Sequence, residues 1–445
     1  MSNSYDRSGT WFDWLHLAIN AVLVMAAGLL AANLMDPQLL PYRQAATPAL
    51  LGVALLGLVM AFWRLRNHAI VRSCLVLAWI FVLGILAEQE WGFLMARHAI
   101  QSAHGNDAAR LRSLSSHLVV GYERPEDVGY LVRQGYVGGL FLTRRNSEGK
   151  TAIQLQAEIA TFQEARRKAG LPLLMIVSDQ EGGSISRLSP PLPQQPTLAS
   201  LVTPGLAPHD LERLAYAYGA AQGKALASVG VNTNFSPVLD LKPLHPDETL
   251  DFHTLISQRA IASNPQTVSQ MGLAYCLGLL SQGILPTLKH FPGLGSADGD
   301  THHFSAHVSL PVGTLNTQDW VPFRTALEKT PSLLMMGHVI LDSVDPENPA
   351  SLSQKLIRTL RDDWHHNGIL ITDDMTMAAV YDRGLCASSV QALQADVDLL
   401  LVSFDWEKVY PVMDCLLQAD KAGHLSLEAS NKRLAQAPWI EARAH

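Results

Sequence analysis

The sequence predicts an α/β protein: a (β/α)8 barrel of the TIM type preceded by an N-terminal helical transmembrane region. Three observations carry that expectation. The N-terminal part holds long apolar stretches without charge, the remainder alternates short apolar runs with longer amphipathic ones, and polar residues recur where the short runs end.

Residues 15–35 contain no Asp, Glu, Lys or Arg, and their length matches the roughly 20 residues that cross a bilayer core. Residues 46–63 do the same. A third stretch, "SCLVLAWIFVLGILA" at 73–87, is shorter and ends against Glu88 and Glu90, with Trp91 and Phe93 beyond it suited to an interface. It reads as a third span; a buried hairpin of a soluble protein is the alternative for such runs. The first run exceeds the roughly 7–15 apolar residues of a cleavable signal peptide, and another span follows it. Arg64, Arg66 and Arg72 lie between the second and third stretches, and the positive-inside rule puts that loop in the cytoplasm. Three spans then leave the N-terminus inside and everything after residue 95 outside, on the periplasmic or extracellular side of the cell membrane. If residues 73–87 do not span, the large domain stays inside. The expected organisation is a membrane anchor over 1–95, a polar helical connector over 96–115 and a barrel domain over 116–445.

A chain of 445 residues with 48% hydrophobic content supports a sizeable core. A net charge of −7 without a Lys/Arg run argues against nucleic acid as a partner. Cys74, Cys276, Cys386 and Cys415 are scattered without CxxC or Cys/His spacing, so neither a zinc ribbon nor a disulfide framework is expected, and cysteine usage leaves the redox compartment open.

The short runs are "HLVVGY" near 117, "GGLFLT" near 138, "LPLLMIVSD" near 171, "VNTNFSPVLD" near 231, "ILPTLKH" near 284, "SLLMMGHVI" near 332, "GILITDD" near 368 and "VDLLLVS" near 397. Near-continuous hydrophobicity suits strands buried on both faces of a parallel sheet. Between them lie helical patterns such as 210–230 and 264–283, with Gly where a helix should stop. Eight such runs suggest a closed barrel, and an open doubly wound sheet is the runner-up. In a barrel the site forms at the C-terminal strand ends, which here carry Asp179, Asp240, Lys289, His290, His338, Asp373 and Asp374.

The stretch "KHFPGLGSADGDTHH" at 289–303 is too polar and turn-rich for a buried element. It resembles the glycoside hydrolase family 3 motif KHFPGHGxxxxDSH, specifically its β-N-acetylhexosaminidase branch, with Asp300 and His302 as the Asp/His pair. "SDQEGGSISRL" (178–188) is similar to the family's DQEGGxVxR and "NFSPVLD" (234–240) to its NFAPVLD. "SQRAIASNP" (257–265) resembles the RxFGxDP region, and "PASLS" (349–353) and "ITDDMTM" (371–377) resemble PASLS and SDDLxM. The likeness runs from about residue 117 to about 403.

The resemblance implies a retaining mechanism without cofactor or metal. It makes Asp373 the nucleophile and Asp300 with His302 the acid/base dyad. It assigns Asp179, Arg187, Arg259, Lys289 and His290 to substrate binding, with a GlcNAc-containing glycan or muropeptide as substrate. The residue chemistry agrees: glycosidic cleavage needs a carboxylate at the anomeric carbon and a proton donor at the leaving oxygen. A strand end holds a nucleophile in position, and an imidazole, with an ordinary pKa of about 6.5, gives and takes protons near neutral pH. Leu294 replaces the second His of KHFPGHG, Ala262 replaces a Gly, and "ADVD" (395–398) replaces AGAD, read as a packing variation. Two rivals remain. A metal hydrolase could use His302, His303, His307, Asp298 and Asp300, although i, i+1, i+5 spacing in a Gly-rich loop does not converge ligands as a helix does. A membrane-anchored barrel that binds sugar without turnover is the other. Transfer to phosphate instead of water is a variation on the enzyme reading.

Overall fold

A computed structural model of the chain describes residues 7–34, 36, 39–64, 69–243, 254–300 and 305–439. The chain divides into two compact units, Met1–Gln101 and Ser102–His445.

The first unit consists of helices α1 (Arg7–Asn33), α2 (Leu40–Arg64) and α3 (Ala69–Gln101). Each contains a stretch long and apolar enough to cross a membrane: Trp14–Asn33, Ala45–Phe62 and Ile70–Gln101. The third stretch thus does not stop at residue 87. Glu88 and Glu90 sit inside one 33-residue helix, because backbone hydrogen bonds carry a helix past polar side chains. Ala27, Ala31, Ala54, Trp79 and Val82 pack between the helices, while Val22, Leu29, Leu55 and Phe81 face outward. Small residues between the helices, letting backbones approach, and an apolar outer face are compatible with helices that cross a membrane. Trp79 closes on Gly57, where an added Cβ would lie 2.2 Å from the indole. The indole Nε1–H donates to Asn20 Oδ1 at 2.7 Å, so the buried amide of α1 is satisfied by α3.

The second unit is the barrel expected from the sequence. Its strands are β1 (Leu118–Val120), β2 (Gly139–Leu142), β3 (Met175–Ser178), β4 (Thr233–Asn234), β5 (Leu285–Phe291), β6 (Leu333–Met336), β7 (Leu370–Asp374) and β8 (Leu399–Val402). They are parallel, follow one another around the circle, and close where Leu118 pairs with Leu400. All eight apolar runs became strands, since burial on both faces is what the continuous runs encode. The residues 96–115 divide: 96–101 complete α3, and α4 (Gly105–Ser115) carries the buried Leu111 and Leu114.

Around the barrel run α5 (Pro125–Gln134), α6 (Ala152–Lys168), α7 (Pro208–Ser228), α8 (Pro265–Leu280), α9 (Trp320–Lys329), α10 (Leu385–Gln394) and α11 (Val409–Lys421). Thr151 caps α6 by accepting from Gln154 N–H, and Asn264 caps α8 by accepting from Thr267 N–H. Helices α7 and α8 touch backbone to backbone: a Cβ on Gly219 or Gly278 would lie 2.3 Å from a carbonyl of the other helix.

Val119, Phe141, Val177, Met335, Ile371 and Leu401 fill the interior, and the last helix α12 (Glu428–Ala435) with Trp439 joins the same cluster through Leu434. Beside α12 lies an ionic lattice. Asp398 accepts from Arg361 at 2.8 Å and from Arg433 at 2.7 Å, and Asp396 pairs with the same two arginines. Asp396 has φ +75°, a left-handed conformation in which Gly is at ease and Asp is among the better-tolerated side chains. The "ADVD" departure therefore places an ion-pair partner at a position whose backbone suits glycine.

Cys386 and Cys415, 29 residues apart in sequence, stand opposite each other on α10 and α11 with Cα atoms 5.7 Å apart. The pairing arises from tertiary packing, so sequence spacing carried no sign of it.

Candidate active site

Alternate residues of a barrel strand face the interior. Val177, Thr287 and Ile371 are fully buried there, and two positions further on each strand come Asp179, Lys289 and Asp373. The period that fills the core thus delivers three ionisable groups to the C-terminal mouth.

Lys289, 2% exposed, donates from Nζ to Asp179 Oδ1 at 2.6 Å and pairs with Glu181 Oε1 at 2.6 Å. Glu181 also takes a two-pronged bond from Arg259, Nε to Oε2 at 2.9 Å and Nη2 to Oε1 at 2.6 Å. Burial alone would push the Glu181 carboxyl up, but Arg259 and then Lys289 outweigh it and hold it well below the usual carboxylate range. Burial likewise opposes the Arg259 charge, and Glu181 raises its pKa above the ordinary value. Glu181 is thus shared between two buried cations, with Asp179 as the second carboxylate on Lys289. Glu181 is the residue the sequence reading missed as a site member. It lies in "DQEGG", on a small hairpin of Gln180–Gly182 against Ile185–Ser186.

His290 is fixed from one side by Asp240. The Asp240 Oδ2 lies 2.7 Å from Nδ1 and accepts from His290 N–H at 3.1 Å, while Oδ1 accepts from Leu294 N–H at 2.6 Å. Its other ring nitrogen, Nε2, faces Arg259 Nη2 at 3.5 Å. Arg187 is held by its backbone: its N–H donates to Asp179 O at 3.1 Å and its C=O accepts from Ser147 Oγ at 2.8 Å. Its guanidinium has no ion-pair partner among the described residues.

The two neighbouring aspartates of β7 differ. Asp374 is buried and spends both oxygens on structure: Oδ1 accepts from Thr376 N–H and Oγ1–H, and Oδ2 accepts from Phe404 N–H at 2.7 Å, from Ser403 N–H at 3.2 Å and from the Ser403 hydroxyl. It fastens the loop after β7 to the loop after β8. Asp373, half-buried, has Oδ1 accepting from Asp374 N–H at 2.8 Å, which orients the carboxylate from behind.

Asp300 is buried, accepting from Thr254 Oγ1 at 2.7 Å and from Thr254 N–H at 3.3 Å. Thr254 O in turn accepts from Arg259 Nη1 at 2.8 Å, so the loop of Asp300 joins the cation network. His302 and His303 lie outside the described residues. The chain leading to Asp300 is tightly held: a Cβ on Gly295 would lie 1.9 Å from Leu241 O, and Ser296 Oγ donates to the buried Asp319 at 3.2 Å. Burial pushes the Asp319 carboxyl up to about 6. Leu294, which replaces a family His, is 6% exposed and packs into the protein.

The remaining polar strand-end residue, His338, is occupied structurally, with Nδ1 2.7 Å from Ser351 Oγ and Nε2 2.9 Å from Asp374 O. Of the residues that could form a metal centre, Asp298 accepts from His307 N–H at 2.6 Å and His307 Nδ1 meets Asp342 at 2.8 Å. No group of three His, Cys, Asp or Glu among the described residues could hold a metal ion.

The family model of the glycosyl hydrolase family 3 N-terminal domain matches residues 110–437. The chain belongs to glycosyl hydrolase family 3. As a family 3 protein it is a glycoside hydrolase, and the motifs that pointed there lie in the site just described. Among its relatives, the beta-hexosaminidase LpqI of Mycobacterium tuberculosis is 32% identical over 337 residues, 72% of this chain and 79% of that protein. The beta-hexosaminidase of Nitrosomonas eutropha is 32% identical over 276 residues, 60% of this chain and 74% of that one. Among solved structures, the family 3 β-N-acetylglucosaminidase of Paenibacillus sp. FPU-7 superposes with a TM-score of 0.67 at 28% identity, covering 75% of this chain and 62% of that one. M. tuberculosis LpqI superposes with a TM-score of 0.65 at 28% identity, covering 77% and 96%.

Proposed function

We propose that this family 3 enzyme is a retaining β-N-acetylglucosaminidase that removes terminal β-linked GlcNAc from cell-wall-type glycans or muropeptide fragments. The observation that supports the reading is the division of labour at the end of β7: Asp374 takes the bonds that hold the neighbouring loops, while half-buried Asp373, on the same strand, is held by Asp374 N–H. The names of the relatives, beta-hexosaminidase and β-N-acetylglucosaminidase, support the substrate.

In this mechanism Asp373 attacks the anomeric carbon and the sugar–aglycone bond breaks as His302 protonates the leaving oxygen. His302 then takes a proton from water, which releases the sugar from Asp373. Asp300, held by Thr254, orients the imidazole and stabilises its charged form. Asp179, Lys289, Arg259, His290 and Arg187 surround the sugar hydroxyls, where charge-assisted hydrogen bonds are strong in a dry site. The N-terminal segment 1–95 anchors the protein in the cell membrane, and the barrel domain 116–445 faces outward, as Arg64, Arg66 and Arg72 imply for three spans.

The test is hydrolysis of an aryl β-N-acetylglucosaminide followed by NMR. β-GlcNAc as the first product supports the mechanism, and the α-anomer first would refute retention. Added phosphate leaves the rate and product unchanged if water is the acceptor; GlcNAc-1-phosphate as product would reassign the enzyme as a phosphorylase.

A further inference from the structure

We propose that Cys386 and Cys415 are joined as a disulfide in the mature protein, stapling the βα unit that carries Asp373 to the unit that follows it, and that the barrel matures in an oxidising compartment.

The Cα–Cα distance of 5.7 Å falls within the roughly 4.4–6.8 Å that a disulfide spans. The cysteines sort by surroundings. Cys386 is exposed and Cys415 half-buried, so an oxidant can reach them. Cys276 is sealed in the core, where burial pushes its thiol up and leaves it inert. Cys74 lies on α3, inside a span. The pair able to bridge is thus also the accessible one, and such pairs persist where thiols are not kept reduced.

Placement gives the bond a task. Helix α10 follows β7 through residues 375–384 and is tied to that connection by Ser388 Oγ donating to Val380 O at 3.1 Å. Helix α11 follows β8. At their strand ends the two units are already fastened by Asp374 to Ser403 and Phe404, and the disulfide fastens the same units again on the outer helical layer. Its formation removes two electrons and two protons from the thiols. They pass through a mixed disulfide to the disulfide of a protein oxidant, which leaves as a dithiol.

The compartment rests on the outward orientation proposed above; the bond does not depend on which sugar is cleaved. The full-length chain is expressed in a bacterium, its thiols are blocked with a permeant alkylating agent before lysis, and the unreduced protein is digested with trypsin. Cleavage after Arg383, Lys408 and Lys421 leaves Cys386 on 384–408 and Cys415 on 409–421. The expected result is one linked species that reductant splits, and that is absent in a strain lacking the periplasmic thiol oxidant. Recovery of both fragments separately alkylated would overturn the proposal, and a topology fusion after residue 95 would then tell a failed pairing from an inward-facing barrel. Replacing both cysteines (Cys386→Ser with Cys415→Ser) is expected to lower the melting midpoint by about 5 °C, reductant lowering the wild type equally and the variant not at all. Turnover of the aryl glycoside, measured on the same membranes, reports separately on the sugar reading.

Discussion

Glu181 and Lys289 meet at 2.6 Å beneath the barrel mouth, with the lysine 2% exposed and the same carboxylate clasped by Arg259. Two buried cations thus share one carboxylate, and removing it takes the two-pronged partner from Arg259 and leaves Lys289 with Asp179 alone. Glu181→Gln is expected to cost about 3–5 kcal/mol in denaturant unfolding and to lower kcat/KM on an aryl glycoside. Because the folded-state carboxyl lies well below its unfolded value, its contribution is present above the ordinary carboxylate range and is lost as pH falls through and below it. The variant should lose that acid-side slope; an unchanged slope would remove Glu181 from this role.

Asp319 predicts the opposite slope. Burial raises its carboxyl from 3.8 to about 6, so the folded protein binds the extra proton between those values and loses stability as pH rises across them. Asp319→Asn should flatten this region, by up to about 3 kcal/mol at neutral pH. Unfolding midpoints at pH 4, 5, 6 and 7 check it.

Asp373 and Asp374 should separate in one experiment. Asp373→Asn is expected to fold normally and to lose about 10⁴-fold or more in kcat. Asp374→Asn weakens the bonds to Ser403, Phe404 and Thr376, and should lower the unfolding free energy by about 1–3 kcal/mol while retaining turnover. If Asp374→Asn folds stably and is the one that abolishes turnover, the two roles are exchanged.

Thr254→Val removes a hydroxyl donated to the Asp300 carboxylate. The bond to a charged acceptor is worth about 1.5–3 kcal/mol, so kcat should fall by about 10-fold or more with KM little changed. A rise in KM at constant kcat would mean that Thr254 serves binding instead.

The strands were readable because each is buried on both faces, which leaves a continuous apolar run in the sequence. Asp179, Lys289 and Asp373 were readable because they extend the interior alternation of those strands. Glu181 was not: its partner Arg259 is 78 residues away, and no local pattern announces an ion pair made by two distant loops. Asp396 was taken as packing because only the backbone angle reveals why that position suits glycine. Glu88 and Glu90 suggested an early end to the third span, since hydropathy reports side chains while the helix is held by its backbone. His302 lies outside the described residues, so its part in the site rests on the motif and on Asp300 two positions earlier.

The fastening of Asp374 to Ser403 and Phe404 has an evolutionary corollary. With the mechanical duty assigned to one carboxylate and the chemical duty to its neighbour, the outer part of the connection, residues 381–384, is free to diverge toward new aglycones without loosening the attacking oxygen. Variation among relatives should therefore gather in that connection and spare the aspartate pair.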